Sequence, residues 1–169
     1  MIQKKICLVG DFAVGKTSLA RRFVEGIFDD KYLSSIGANI SRKVLALDGS
    51  DLTLLIWDLV GGEKFDRVIA NYYRGSAGAL LVCDLTRPET LDKLTGYASD
   101  FLGINPAAHL VFVGNKVDLT SERRIRDVSL AAVAERYHAP VFISSAKTGQ
   151  DVQQAFETLG QHLLAGRVS

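Results

Sequence analysis

The sequence predicts an α/β domain of three layers: a mostly parallel sheet of about six strands with one antiparallel hairpin, covered by helices on both faces. Three observations point there. Apolar runs of strand length alternate with helical stretches along the 169 residues. Those runs are near-continuous in Val, Ile and Leu, which is the composition of strands buried on both faces. One pair of runs is joined by a short polar turn with no helix between, as a hairpin requires.

Taken in order, residues 2–9 (IQKKICLV) read as the first strand and residues 16–25 (KTSLARRFVE) as the helix after it. Residues 40–47 (ISRKVLAL) and 52–57 (LTLLIW) are two strands joined by Asp48-Gly49-Ser50-Asp51, a hairpin signal. Residues 78–83 (GALLVC) come next, then a helix beginning near Pro88, whose ring suits a first-turn position. Residues 109–114 (HLVFVG) are the fifth strand, ahead of a helix over 128–137. Residues 140–144 (PVFIS) are the sixth, ahead of a final helix over 152–164. No repeat, low-complexity stretch or linker interrupts the pattern, so residues 1–169 read as a single domain.

Bulk properties exclude several functions. A net charge of +1 supplies no field that would favour nucleic acid or anionic lipid. No apolar run approaches the ~18 residues of a membrane span, and the opening MIQKKICLVGDF is too short in its apolar part for a secretory signal. Cys7 and Cys83 both lie inside apolar runs, where two small buried hydrophobes are a simpler reading than a disulfide or a metal site. A reducing, cytoplasmic compartment is expected.

Ligands on such sheets bind beyond the carboxyl ends of the strands, and the chemically distinctive residues gather there. The first strand runs into GDFAVGKTSL, which matches G-x-x-x-x-G-K-[ST] between a strand and a helix. Gly10, Asp11, Phe12, Ala13, Val14, Gly15, Lys16, Thr17 and Ser18 would make a phosphate cradle: backbone N–H groups around a β-phosphate, with a helix N-terminus behind them. Lys16 would reach the β- and γ-phosphates and the Thr17 hydroxyl would ligate Mg²⁺.

The base is addressed further on, by Asn115-Lys116-Val117-Asp118 after the fifth strand and Ser145-Ala146-Lys147 after the sixth. A carboxylate at Asp118 can accept from both N1–H and the 2-amino group of guanine. Adenine offers neither donor there and would leave a buried charge unpaired. Asn115 would brace the loops, Lys116 and Lys147 would lie along base and ribose, and the Ala146 N–H would meet guanine O6. Alone, NKVD could equally be an Asn/Asp turn; its place after a strand, with SAK and the cradle, argues for the base site. A P-loop kinase or ATPase would need an adenine site and an arginine-rich lid, and Asp118 opposes it.

Together GDFAVGKTSL, WDLVGGEKF, NYYRGSAGALLVCDLT, GNKVD and SSAK resemble the Ras superfamily of small GTPases, the Rab branch most, in order and at family spacing over essentially the whole chain. The resemblance implies a P-loop NTPase fold, the small G domain, with Mg²⁺-bound GTP or GDP as ligand and a two-state switch read by protein partners. In YLSSIGANI, Ser35 stands where the family has a Mg²⁺-ligating threonine, keeping the hydroxyl but losing the methyl that stiffens χ1; Ser34 is the alternative. Phe28 matches an aromatic that packs against guanine, or else packs under the loop. Asp58 would hold Mg²⁺ through a water, and the Gly61 N–H would bond the γ-phosphate. The loop from Leu59 to about Asn71 would rearrange on hydrolysis. Ile40, Trp57 and Tyr72 match a patch that effectors and regulators read, although Trp57 could as well be core.

The departures bear on catalysis. Gly62 occupies the place of the glutamine that orients the attacking water. Phe12 replaces a small residue beside the γ-phosphate, and no arginine lies between Phe28 and Gly37. Slow intrinsic hydrolysis is the expectation; the alternative is a GTP-binding interaction module that does not turn over. The chain ends HLLAGRVS with no cysteine after Cys83, so either a lipidated tail has been removed or no lipid anchors the protein. The departures favour the second and mark a divergent member, with prokaryotic origin left open.

Overall fold

The computed structural model describes residues 2–26, 38–59 and 67–166. Strands β1 (Ile2–Gly10), β2 (Ala38–Leu47), β3 (Ser50–Leu59), β4 (Gly78–Asp84), β5 (His109–Asn115) and β6 (Val141–Ile143) form one sheet in the order β2-β3-β1-β4-β5-β6. Only β2 and β3 pair antiparallel; the other pairs are parallel. The helices are α1 (Lys16–Glu25), α2 (Arg67–Tyr73), α3 (Pro88–Asp92), α4 (Leu94–Ile104), α5 (Asp127–Glu135) and α6 (Val152–Ala165). This is the three-layer α/β architecture expected of a small G domain.

Two apolar layers sandwich the sheet, and strand alternation sorts side chains between them. On β1, Ile6 and Leu8 face the layer shared with Leu19 and Phe23 of α1 and Phe156 and Leu159 of α6. Cys7 and Val9 face the other, with Ala98 and Phe101 of α4 and Leu130 of α5. The Phe23 and Phe156 rings stack at 4.0 Å between centroids, tying the first helix to the last. Cys7 and Cys83 are free and fully buried.

Several boundaries differ from the sequence reading. The β2–β3 connection is a two-residue turn: Asp48 and Gly49 have φ of 48° and 80°, and Leu47 pairs with Ser50. Positive φ at both central residues matches strand twist, which lets both strands run longer than their apolar cores. The helix starting at Pro88 is two helices, broken at Lys93. The sixth strand is only three residues, and a short helix over Arg67–Tyr73 replaces what read as loop. Among the described residues no helix is long and apolar enough to cross a membrane.

Candidate functional site

The loop between β1 and α1 begins and ends at glycines that the packing demands. At Gly10, paired with Val82 of β4, a Cβ would sit 2.3 Å from the Val82 carbonyl oxygen. At Gly15, φ is 103° and a Cβ would sit 2.2 Å from Asn115 Nδ2. That approach is used: Nδ2 donates to the Val14 carbonyl at 3.1 Å. Lys116 Nζ donates to the Ala13 carbonyl at 2.9 Å, so the loop after β5 grips the loop after β1 at two successive residues.

Lys16 folds back across the same loop. Its Nζ donates to the carbonyls of Gly10 at 3.0 Å and Asp11 at 2.9 Å, and the side chain is buried. Burial pulls the ammonium down to about 8, against the opposing pull of Asp58 and Asp11. Thr17 Oγ1 donates to Asp58 Oδ2 at 2.5 Å, joining the first turn of α1 to the end of β3. Burial also raises the Asp58 carboxyl, with the Thr17 hydroxyl and Lys16 working against it. Ser18 follows, half-buried, in that turn. Asp11 accepts the Phe12 N–H at 2.8 Å and pairs with Lys93 at 3.0 Å. Burial would raise its carboxyl, but these partners outweigh it and hold it below its ordinary value. The Phe12 side chain is 46% exposed.

At the end of β5, Asn115 is a hub. Its Oδ1 accepts from Ser144 Oγ and from the Ala146 N–H, both at 3.2 Å. The N–H that was expected to meet guanine O6 therefore points at Asn115 here. Asp118 Oδ1 accepts from Ser145 Oγ at 2.7 Å; carboxylate oxygens accept more than once, so this bond orients the group without exhausting it. Lys147 is exposed, and its carbonyl accepts from Arg22, as does that of Ala146 at 2.8 Å.

Ile40 and Trp57 are cross-strand partners. Trp57 lies 6.1 Å from Tyr72 and carries Lys5 Nζ 3.8 Å from its ring centroid. Ile40 is 57% exposed, whereas Trp57 and Tyr72 are partly buried against the core. Phe28, Ser34, Ser35, Gly61, Gly62 and Glu63 lie outside the described residues.

The sequence reading passed over Asp84, Arg87, Lys93 and Arg22. Asp84 had a signal: it ends an otherwise apolar strand, GALLVCD, at the carboxyl edge of the sheet, in register with Asn115. It is buried and its Oδ2 pairs with Lys116 at 2.8 Å and with Arg87 at 3.2 Å. The other three carried none, because the contacts that tie them to the site, Arg87 to Phe12, Lys93 to Asp11 and Arg22 to Ala146, are made only by the fold.

The Ras family model matches residues 5–165. The Ras-related protein Rab-4 of Dictyostelium discoideum is 35% identical over 153 residues, covering 90% of this chain and 75% of that protein. RabJ of the same organism is 32% identical over 167 residues, covering 98% of this chain and 65% of its own length. Rab-7b of Mus musculus is 34% identical over 167 residues, covering 96% and 83%.

Proposed function

The chain belongs to the Ras family, and from that premise we propose a guanine-nucleotide-dependent molecular switch that binds Mg²⁺-GTP and GDP and hydrolyses GTP slowly. The observation that carries this reading is the meeting of Thr17 Oγ1 and Asp58 Oδ2, 2.5 Å apart, beside a buried lysine that donates to two loop carbonyls. Two hard oxygens from different elements suit Mg²⁺, which supplies charge neutralisation across the β- and γ-phosphates when bound. Thr17 would be a direct ligand and Asp58 would act through water; Ser35 would complete the set in the GTP state.

The protein's own groups do the rest. Lys16 would exchange its carbonyl partners for phosphate oxygens, loop N–H groups would face the β-phosphate, and Asp118 would read the guanine edge with Ser145 holding it. At Gly62 no side-chain amide is available to orient water, so the chemical step would lack that positioning group unless Glu63 or a partner's side chain provides one. The same glycine supports the second reading, a GTP-binding interaction module without useful turnover. Effectors and regulators would meet the two switch segments and the Ile40, Trp57 and Tyr72 surface, in the cytoplasm.

Lys16→Ala and Thr17→Asn test the reading. We expect purified parent to carry guanine nucleotide, Lys16→Ala to lose GDP and GTP affinity by two or more orders of magnitude, and Thr17→Asn to favour GDP over GTP. Parent-like affinities for both nucleotides in both variants, or equal parent affinity for ADP, would overturn it.

A further inference from the structure

Three successive carbonyls of the loop after β1 are each held by a side chain. Val14 O is held by Asn115 and Ala13 O by Lys116. The third, Phe12 O, accepts from Arg87 Nη2 at 2.6 Å. In a trans peptide the C=O and the following N–H point opposite ways, so holding these oxygens turns the N–H groups of Ala13, Val14 and Gly15 to the other side. None of the three has a protein acceptor among the described residues. They form a row of donors with nothing to donate to, which is the arrangement an anion completes.

We propose that Arg87 is a positioning residue of the phosphate site, fixing the Phe12–Ala13 peptide so that the Ala13 N–H faces the β-phosphate. The proposal rests on the nucleotide reading above. Arg87 is itself held. Its Nε pairs with Asp84 Oδ2 at 3.2 Å, the same oxygen that holds Lys116 Nζ at 2.8 Å. The other oxygen, Oδ1, accepts from the Thr86 N–H at 2.9 Å and Thr86 Oγ1 at 2.7 Å. One buried carboxylate therefore roots two of the three clamps. Pro88 follows Arg87 as the first residue of α3 and disfavours helical backbone before it; Arg87 is extended, with φ −131° and ψ 99°. Arginine is needed because one fork reaches carboxylate and carbonyl at once, whereas lysine has a single nitrogen.

The test measures GDP and GMP affinities of parent, Arg87→Ala and Arg87→Lys by calorimetry at fixed free Mg²⁺. GMP lacks the β-phosphate that the Ala13 N–H would address. We expect both variants to lose about tenfold in GDP affinity, the scale of one charge-assisted hydrogen bond, with GMP affinity unchanged within about twofold. Equal losses for GDP and GMP would show general loosening, and no loss for GDP would show an idle contact; either overturns the proposal. Arg87→Lys answers alone if Arg87→Ala does not fold. A parent that binds neither nucleotide would instead sink the nucleotide reading itself.

Discussion

Lys16 is a cation that folding has almost withdrawn from water, and that sets a pH dependence. An unfolded lysine titrates near ~10.4, while burial brings Lys16 to about 8 in the folded, ligand-free protein. Between those values the unfolded chain binds more protons, so the lysine's contribution to ligand-free stability rises with pH through that window. Phosphate oxygens beside the ammonium favour its charged form and raise its pKa again. Nucleotide binding should therefore take up a growing fraction of a proton between pH 7 and pH 8.5. Calorimetry in buffers of different ionisation enthalpy measures this; the same uptake at both pH values would contradict the Lys16 assignment. At this scale legibility was uneven. Lys16, Thr17, Asn115 and Asp118 stand out because local spacing fixes them. Arg87 and Arg22 do not, since the loop carbonyls they hold, Phe12 and Ala146, lie 75 and 124 residues away in the chain.

The elements show how the loops are held to one another. Helix α1 carries Lys16 and Thr17 at its start and, one turn before its end, Arg22, which donates to the carbonyls of Ala146, Lys147 and Gly26. One short helix thus ties the loop after β1 to the loop after β6. Gly15, directly before it, is where packing is least forgiving. Gly15→Ala would place a methyl 2.2 Å from Asn115 Nδ2 on a backbone at φ 103°. The backbone strain alone costs about 1–3 kcal/mol, and displacing Asn115 releases Val14, Ser144 and Ala146 together. We expect GDP affinity to fall at least tenfold, with faster GDP release in a nucleotide-exchange assay; parent-like release would show that the two loops need not touch. Element types were mostly readable, and ends were not. The β2–β3 ladder extends to a two-residue turn because pairing continues past the apolar residues. The seven-residue α2, RVIANYY, is too short for its periodicity to stand out.

Across the whole molecule, the sheet order β2-β3-β1-β4-β5-β6 explains why distant motifs form one site. The chain leaves β1 toward β3 on one side and β4 on the other, so the loop after β1 lies at the point where strand order reverses, where open α/β sheets bind ligands. Asp58 at the end of β3, Asp84 at the end of β4 and Asn115 at the end of β5 then flank that loop from neighbouring strands. Part of this was legible: Asp58 and Asn115 stand out in the sequence near the ends of β3 and β5, whereas the role of Asp84 at the end of β4 did not, because its partners Lys116 and Arg87 come into view only in the fold. We propose that such a site binds GTP well and turns it over poorly, because Gly62 has no side chain to orient water and Phe12 would stand beside the γ-phosphate. Family members without an arginine finger hydrolyse GTP at about 10⁻⁴ per second, and the finger contributes about 10³–10⁵. The most direct test is single-turnover hydrolysis of preloaded GTP by the parent, by Gly62→Gln, and by Gly62→Gln combined with Phe12→Gly. We expect a parent slower than about 10⁻⁴ per second, a faster Gly62→Gln and a faster double variant still. A parent faster than that rate, or no acceleration in either variant, would contradict it.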